Sequence, residues 1–348
     1  MTPARQRRLL DSLEREYGPR IRRAFEGAFA EVRRRVNEAD LVRAVQAGNI
    51  AAAVEAVGVT GPALRLFEQE IERAFEEAGR RFMGLFPKRG VRGPNGLQVQ
   101  FAFDIRNPEA ERWLADNAAG LVTRVVEDQR EAIRAFLTED LSRGVNPRTA
   151  ALRLVGRINR ATGRREGGII GLSGPQSRYL RNAGDYLDAG DGRYFDLTLR
   201  DKRLDGPIRR AMESGSVPAS LRNRALTAYS NRLLRHRGET IAQTETLNAL
   251  RAAKHEAFSQ GAQQAGVDDD LVTRVWDATG DGRTRLSHVF ADGQEIVGRD
   301  AVFRVGGYPM RYPGDSRDAP ASETVRCRCI EITRIDFIEA QARRERRL

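Results

Sequence analysis

The only two cysteines of this 348-residue chain are Cys327 and Cys329, and one of its three histidines, His288, precedes them after a turn-rich stretch. Thiolates and imidazole suit zinc, and an ion can replace missing core in a small unit. A tetrahedral site needs a fourth ligand, for which Asp281, Asp292, Asp315 or a water are the candidates. The spacing argues the other way. Zinc-binding cysteines commonly stand two residues apart, whereas in Cys-x-Cys alternate residues of a strand face opposite sides unless it bends. The competing account is two buried thiols and a hydrogen-bonded imidazole. A catalytic thiol–imidazole pair of His288 and Cys327 lacks an acid placed to orient the ring. Arg326 and Arg328 would lower a thiol pKa without conferring an activity. A Cys327–Cys329 bridge would close a small strained ring, and two cysteines cannot staple a chain of this length, which fits a reducing compartment.

Two other sites fail on their residues. Asp277-Ala-Thr279-Gly-Asp281-Gly282 opens like a calcium loop, but position 12 is His288 where a bidentate Glu belongs, so a turn held by the Asp281 carboxylate is the better account. The glycine-rich stretch 159–174 lacks both the Gly-Lys-Ser/Thr ending of a phosphate loop and a GxGxxG after a strand, and reads as a flexible connector. His236 and His255 fall on helices and read as surface or capping residues.

Net charge is +11 with a pI near 10.3, which favours polyanionic neighbours. Lys88, Lys202 and Lys254 are the only lysines, and so strong an arginine skew can also reflect genomic base composition. No aromatic-interleaved basic motif is present, so the expectation is non-specific contact with double-stranded DNA without base readout. No run of about 18 apolar residues and no apolar leader is seen, so no membrane partner is expected.

The elements that would hold these residues are mostly helical. Leu9, Leu13, Tyr17, Ile21, Phe25, Phe29, Val32 and Val36 recur every three or four positions, with a kink or interruption expected at Gly18-Pro19. A second stripe, Phe67, Ile71, Phe75, Ala78, Phe82 and Leu85, follows Thr60-Gly-Pro62. Single stripes of this kind pack on one another or on a partner. Leu97 to Phe103 alternates at period two and reads as a strand. Asn107-Pro108 caps a long helix with a break at Gly120, and Thr149 to Ile158 is helical. Gln176 to Leu187 is a helix, Arg200, Asp201, Arg203 and Asp205 read as structural ion pairs, and two helices, 219–235 and 239–264, follow. Beyond Gly266 short strands at 272–276, 295–297, 301–305 and 329–333 are separated by Gly, Asp and Pro turns. The fold class is mainly α with a C-terminal α+β module: long amphipathic helices, then a small domain of short antiparallel strands. The expected divisions are 1–90 (helical, with apolar stripes for a partner), 91–236 (helical, with the 159–174 connector), 237–336 (the α+β module) and 337–348 (a basic tail).

The order of motifs in that module resembles the phage Mu F-like family of head morphogenesis, or minor head, proteins. It is carried by Ile241-Ala-Gln-Thr244-Glu245-Thr246, Trp276, Asp281, Arg283-Thr-Arg285, His288, Asp292-Gly293, Pro313-Gly-Asp315 and Cys327-Arg-Cys329. Leu199 to Asp205 also looks like the region that precedes this module. The resemblance implies a structural, non-enzymatic minor capsid component of a tailed phage, associated with the portal protein inside the procapsid, and it makes the helices of 1–90 the candidate portal or scaffold contact. It implies possible scaffold or major capsid contacts, contact with packaged DNA, and a place inside the virion head after assembly in the host cytoplasm. Relatives often read Asn-Cys-Arg-Cys where this chain has Arg326. Some carry further cysteine and histidine positions that look like a zinc centre, and this chain lacks them. Some relatives join the module to toxin domains, for which about 12 residues after Asp336 leave no room. The alternatives are a nucleic-acid-binding module outside capsid assembly, a thiol-dependent enzyme, or a toxin-related protein.

Overall fold

The structure, a computed structural model, describes residues 1–347. Its helices are α1 (Pro3–Arg35), α2 (Glu38–Gln46), α3 (Ile50–Val57), α4 (Arg65–Met83), α5 (Pro108–Trp113), α6 (Gly120–Ser142), α7 (Pro147–Val155), α8 (Gly174–Ala189), α9 (Asp205–Glu213), α10 (Ala219–Gln264), α11 (Leu286–Phe290), α12 (Ala321–Thr324) and α13 (Phe337–Arg347). The strands are β1 (Arg157–Ile158), β2 (Arg165–Glu166), β3 (Val272–Asp277), β4 (Glu295–Val297), β5 (Phe303–Val305), β6 (Tyr308–Met310) and β7 (Ile330–Ile335). The chain is mainly helical, with its short antiparallel strands concentrated near the C-terminus, as the sequence implied. It divides into two compact units that draw on alternating stretches: Met1–Arg22, Glu68–Ala119 and the chain from Thr240 onward form the terminal unit, and Arg23–Phe67 with Gly120–Glu239 form the central unit. This division differs from four consecutive segments because α1, α4 and α10 each contribute residues to both units.

In the terminal unit the sheet runs β4-β3-β7, with β5 and β6 forming a separate hairpin. One face of β3 buries Trp276 among Phe303, Val305, Met310, Cys327 and Cys329. A second apolar cluster joins Val91, Ala262, Val267, Val272 and Ala340, against which Phe101 and Phe337 pack. Gly261 permits this packing, since a Cβ there would lie 2.2 Å from the Phe86 ring. The strand expected at 97–103 is absent; only an isolated Arg92–Gln98 bridge occurs. Val99 and Phe101 do turn into the apolar cluster, which accounts for the alternation, but the backbone has no partner strand. Two glutamines of α10 serve it instead. Gln264 pairs with the N–H and C=O of Ala102 (3.1 and 2.6 Å), and Gln260 does the same for Asp104 (2.8 and 2.8 Å). Gln6 of α1 repeats the device on β7, donating to Thr333 O at 2.7 Å and accepting from Thr333 N at 3.1 Å.

In the central unit the stretch read as a flexible connector is packed. Ile169, Ile170 and Leu172 are fully buried, and side chains of Gln129, Arg33, Ser230 and Arg237 bond the backbone of 168–171. Glycine is needed for the close fit: at Gly168, with φ +72°, a Cβ would stand 2.5 Å from the Gly156 nitrogen. Ile158 lies in the β1–β2 hairpin rather than in a helix, because α7 ends at Val155. Arg200–Asp205 and Arg203–Asp201 are ion pairs, as expected.

Three helix boundaries depart from the pattern in the sequence. Helix α1 continues through Pro19, which forfeits one backbone hydrogen bond while Leu13, Tyr17 and Ile21 remain buried. Helix α10 is one element of 46 residues instead of two; Gly238 sits within it where a Cβ would stand 3.1 Å from the Glu26 carboxylate. The break expected at Gly120 is a π-helical segment, Leu114–Ala119, just before it. The stretch Ile50–Met83 has an 18-residue window of mean hydropathy 1.4. It is divided by the left-handed Gly58 that ends α3 and by a 3-10 turn at Gly61–Leu64. The apolar stripes of α1 and α4 are buried by the protein itself, with Leu13, Phe25, Phe29, Phe67, Phe75 and Phe82 all at 0% exposure, so these stripes are not free for a partner.

Candidate metal centre

His288, Cys327 and Cys329 converge in the terminal unit, buried at 1–2% exposure, with their ligand atoms all within 4.8 Å of one another. Helix α11 places His288; the two cysteines lie before β7, outside the ladder, so the alternation of a strand does not separate them. The bend is local. Arg326 has φ +55°, the one positive φ outside glycine among the described residues. Its backbone N–H donates to Thr244 Oγ1 at 3.1 Å and its guanidinium to Thr240 Oγ1 at 2.6 Å, which ties the turn to α10. Both sulfurs then face the same ring nitrogen, His288 Nδ1, at 3.3 Å for Cys329 and 3.6 Å for Cys327. Nε2 points to Glu323 Oε2 at 3.1 Å, and Ser287 Oγ donates to the same oxygen at 2.7 Å.

The donor set fits a tetrahedral ion on geometry. Bonds of about 2.0–2.3 Å imply ligand–ligand edges of roughly 3.3–3.8 Å, the range of the two N–S separations. A carboxylate on the outer imidazole nitrogen is the arrangement that orients a metal-bound histidine. With an ion bound, the three donors would supply three of four positions. Asp281, Asp292 and Asp315, the candidates for the fourth, are engaged elsewhere. Asp281 holds Arg328 through two bonds of 2.6 Å and accepts from the Arg283 N–H at 3.0 Å, the turn expected in place of a calcium loop. Asp292 accepts from the Ala278 N–H at 2.8 Å, and Asp315 binds Arg311 Nε at 3.0 Å and the Arg317 N–H. The bond from Cys329 holds the Cys327 thiol well below its ordinary value, with Arg251 and His288 assisting against burial, while the same bond and burial raise Cys329. Two adjacent thiolates need a cation to ionise together.

The other motif residues support this cluster. The Trp276 ring meets the His288 ring edge-on at 5.4 Å, and the Gly293 N–H returns to Trp276 O at 2.8 Å. Arg285 donates to the Val325 carbonyl ahead of the cysteines. Pro313 is buried next to Gly314, where a Cβ would meet Arg251 at 3.2 Å. Arg283 is exposed, and Ile241 and Glu245 are half-buried on α10.

The sequence reading missed a second buried polar cluster in the same unit. Glu331 on β7 lies 3.5 Å from Lys254 Nζ and 3.4 Å from both Arg274 Nη1 and His255 Nδ1, so His255 is not a surface residue. Thr333 Oγ1 accepts from Lys254 at 3.0 Å and donates to Glu331 at 2.6 Å. Burial would raise the Glu331 carboxyl, but Lys254, His255 and Arg274 outweigh it and hold the group well below the carboxylate range. Burial likewise lowers Lys254 to about 8. Arg274 also gathers the carbonyls of Gly298, Ala301 and Arg311. The available signal was Lys254 itself, a lysine retained among so many arginines.

Residues 203–332 match the family model described as Phage Mu protein F like protein. The segment that contains the thiol–imidazole cluster and its supporting turns is thus similar to the Mu F-like family, as its motifs suggested. That family suggests a role in phage head morphogenesis and association with the virion. No curated protein matches the chain, and no solved structure matches it.

Proposed function

We propose that this protein is a structural minor head component of a tailed phage, incorporated beside the portal inside the procapsid, with no catalytic activity of its own. The observation that carries this reading is the closed cluster inside the Mu F-like segment. His288, Cys327 and Cys329 leave no more than 2% of their surface to solvent, so a substrate has no face to approach. Side chains in such a position hold the ends of α11, α12 and β7 together. Zinc, if bound, would be held by His288 Nδ1 and the two sulfurs, neutralise the paired thiolates and stabilise the fold. The basic surface suits a position against packaged DNA, through phosphates and without base readout.

The experiment is assembly with and without the portal. The protein should co-sediment with procapsids built with portal and be missing from shells formed by the major capsid protein alone. Equal incorporation into portal-free shells would overturn the portal assignment. For the DNA arm, affinity for a random duplex should fall steeply between about 50 and 200 mM salt. A salt-independent constant would remove that contact.

A further inference from the structure

The central unit contains a cavity that the head-protein reading does not use. It is formed where α6, α7, α8 and the first part of α10 meet the β1–β2 hairpin, and measures about 560 Å³ with its open mouth included. Phe136, Leu152, Leu180 and Leu226 supply apolar lining; the polar lining is Arg153, Arg157, Arg181, Asn223 and Thr227 together with Arg222, paired with Asp188, and one carboxylate, Glu166, which accepts from Asn159, so the lining is net positive. The arginines are not all satisfied. Arg181 is 7% exposed, lies 4.8 Å over the Phe136 ring, and gives its two outer nitrogens to Phe136 O (3.1 Å) and Glu139 (3.2 Å), leaving Nε without a partner. Arg153 lies 5.7 Å from the same ring and has only the fully buried Asp140, at 3.4 Å, as its acid. The Arg157 guanidinium at the rim makes no hydrogen bond or ion pair among the described residues, and the Asn223 side chain makes none either.

A buried guanidinium N–H without an acceptor is costly, and planar arginine forks match carboxylates two bonds at a time. The apolar lining asks for a hydrocarbon group next to that anion. Only a small part of the cavity is enclosed, which admits a short aliphatic stem and not a nucleotide. We infer that this cavity binds an acidic peptide segment of a protein partner, taking a carboxylate between Arg157, Arg181 and Asn223 and an adjacent aliphatic side chain against Phe136, Leu180 and Leu226. The cation over an aromatic ring strengthens the site, because a guanidinium fixed on Phe136 loses less freedom when it accepts the anion.

The test uses the full-length protein with three probes: N-acetyl-leucine, its uncharged amide N-acetyl-leucinamide, and inorganic phosphate. Binding is read from arginine Nε–Hε resonances. N-acetyl-leucine should saturate the Arg157 and Arg181 signals with a dissociation constant of about 1 mM or tighter, and the amide and phosphate should each bind at least roughly tenfold more weakly. Arg157→Ala and Asn223→Ala, both outside the core, should each weaken N-acetyl-leucine while leaving the thermal midpoint within a degree or so. Equal binding of the amide would show an apolar cleft with no anion preference, and equal binding of phosphate a free-anion or nucleic-acid phosphate site; either overturns the proposal. So does undiminished N-acetyl-leucine binding in both variants.

Discussion

Two buried polar clusters of the terminal unit lie next to each other along the chain, one just ahead of β7 and one on it, and they solve desolvation differently. Around Glu331, one carboxylate faces Lys254, Arg274 and His255, and the protein supplies every opposing charge. Around His288, two thiols face one imidazole nitrogen and compete for a proton. The first cluster is complete; the second is complete as a hydrogen-bonded trio whose two N–S separations, 3.3 and 3.6 Å, would also suit a cation. A buried charge set that neutralises itself is architecture, whereas one that needs an added cation ties folding to that cation.

The sharpest way to break the contrast is Glu331→Gln. Removing the acid leaves Lys254 and Arg274 buried without a counter-charge, and denaturant unfolding should show a loss of about 3–5 kcal/mol; a loss under 1 kcal/mol would mean the cations are already served by carbonyls. The pH dependence follows from the same residue. Its folded pKa lies well below the 4.5 of a free glutamate, so the unfolded chain takes up the proton first. The contribution is therefore full above that value and drains away as pH falls through the folded pKa. Wild-type stability should decline on acidification more steeply than that of Glu331→Gln, measured by midpoints across the acid range.

Metal is the next lever. Elemental analysis should find about one zinc per chain in wild type and none in Cys327→Ser. Saturating zinc should raise the unfolding free energy of wild type by as much as about 4 kcal/mol at a thousandfold excess over the dissociation constant. A midpoint indifferent to both zinc and chelator assigns the cluster to hydrogen bonding alone. The smallest effect concerns the turn that aims the sulfurs. Left-handed backbone costs an ordinary residue about 1–2 kcal/mol and asparagine less. Arg326→Asn should therefore gain up to about 1 kcal/mol, after allowance for the lost bond to Thr240, in thermal melts. A destabilised variant would show that the Arg326–Thr240 bond outweighs the backbone strain.

Much of this was legible from residues alone, where a local rule decides the outcome. Asn107 caps α5, Asp281 closes its turn, and β3, β4, β5 and β7 announce themselves by alternation between turn formers, whereas β6 does not. What escaped reading depends on partners distant in sequence. Leu97 to Phe103 has the alternation of a strand but is served by Gln260 and Gln264, and no window of the sequence shows that an amide 156 or more positions away will take the place of a neighbouring strand. The glycines near 168 looked permissive and are instead sites of close contact, because density of packing is a property of what surrounds them. In the candidate site, His288 and both cysteines were identified by type, while Glu323 was missed: one glutamate among many acquires its role only when α12 folds beneath the ring.

The Gln6 amide completes the outer edge of β7 with a side chain from 327 positions earlier in the sequence. During synthesis α1 emerges long before Thr333 exists, so the Gln6 side chain stays solvated until β7 has been made. The contact spans 327 positions and forms only after all the residues between have been added, and until it does the margin of β7 stays open to other strands.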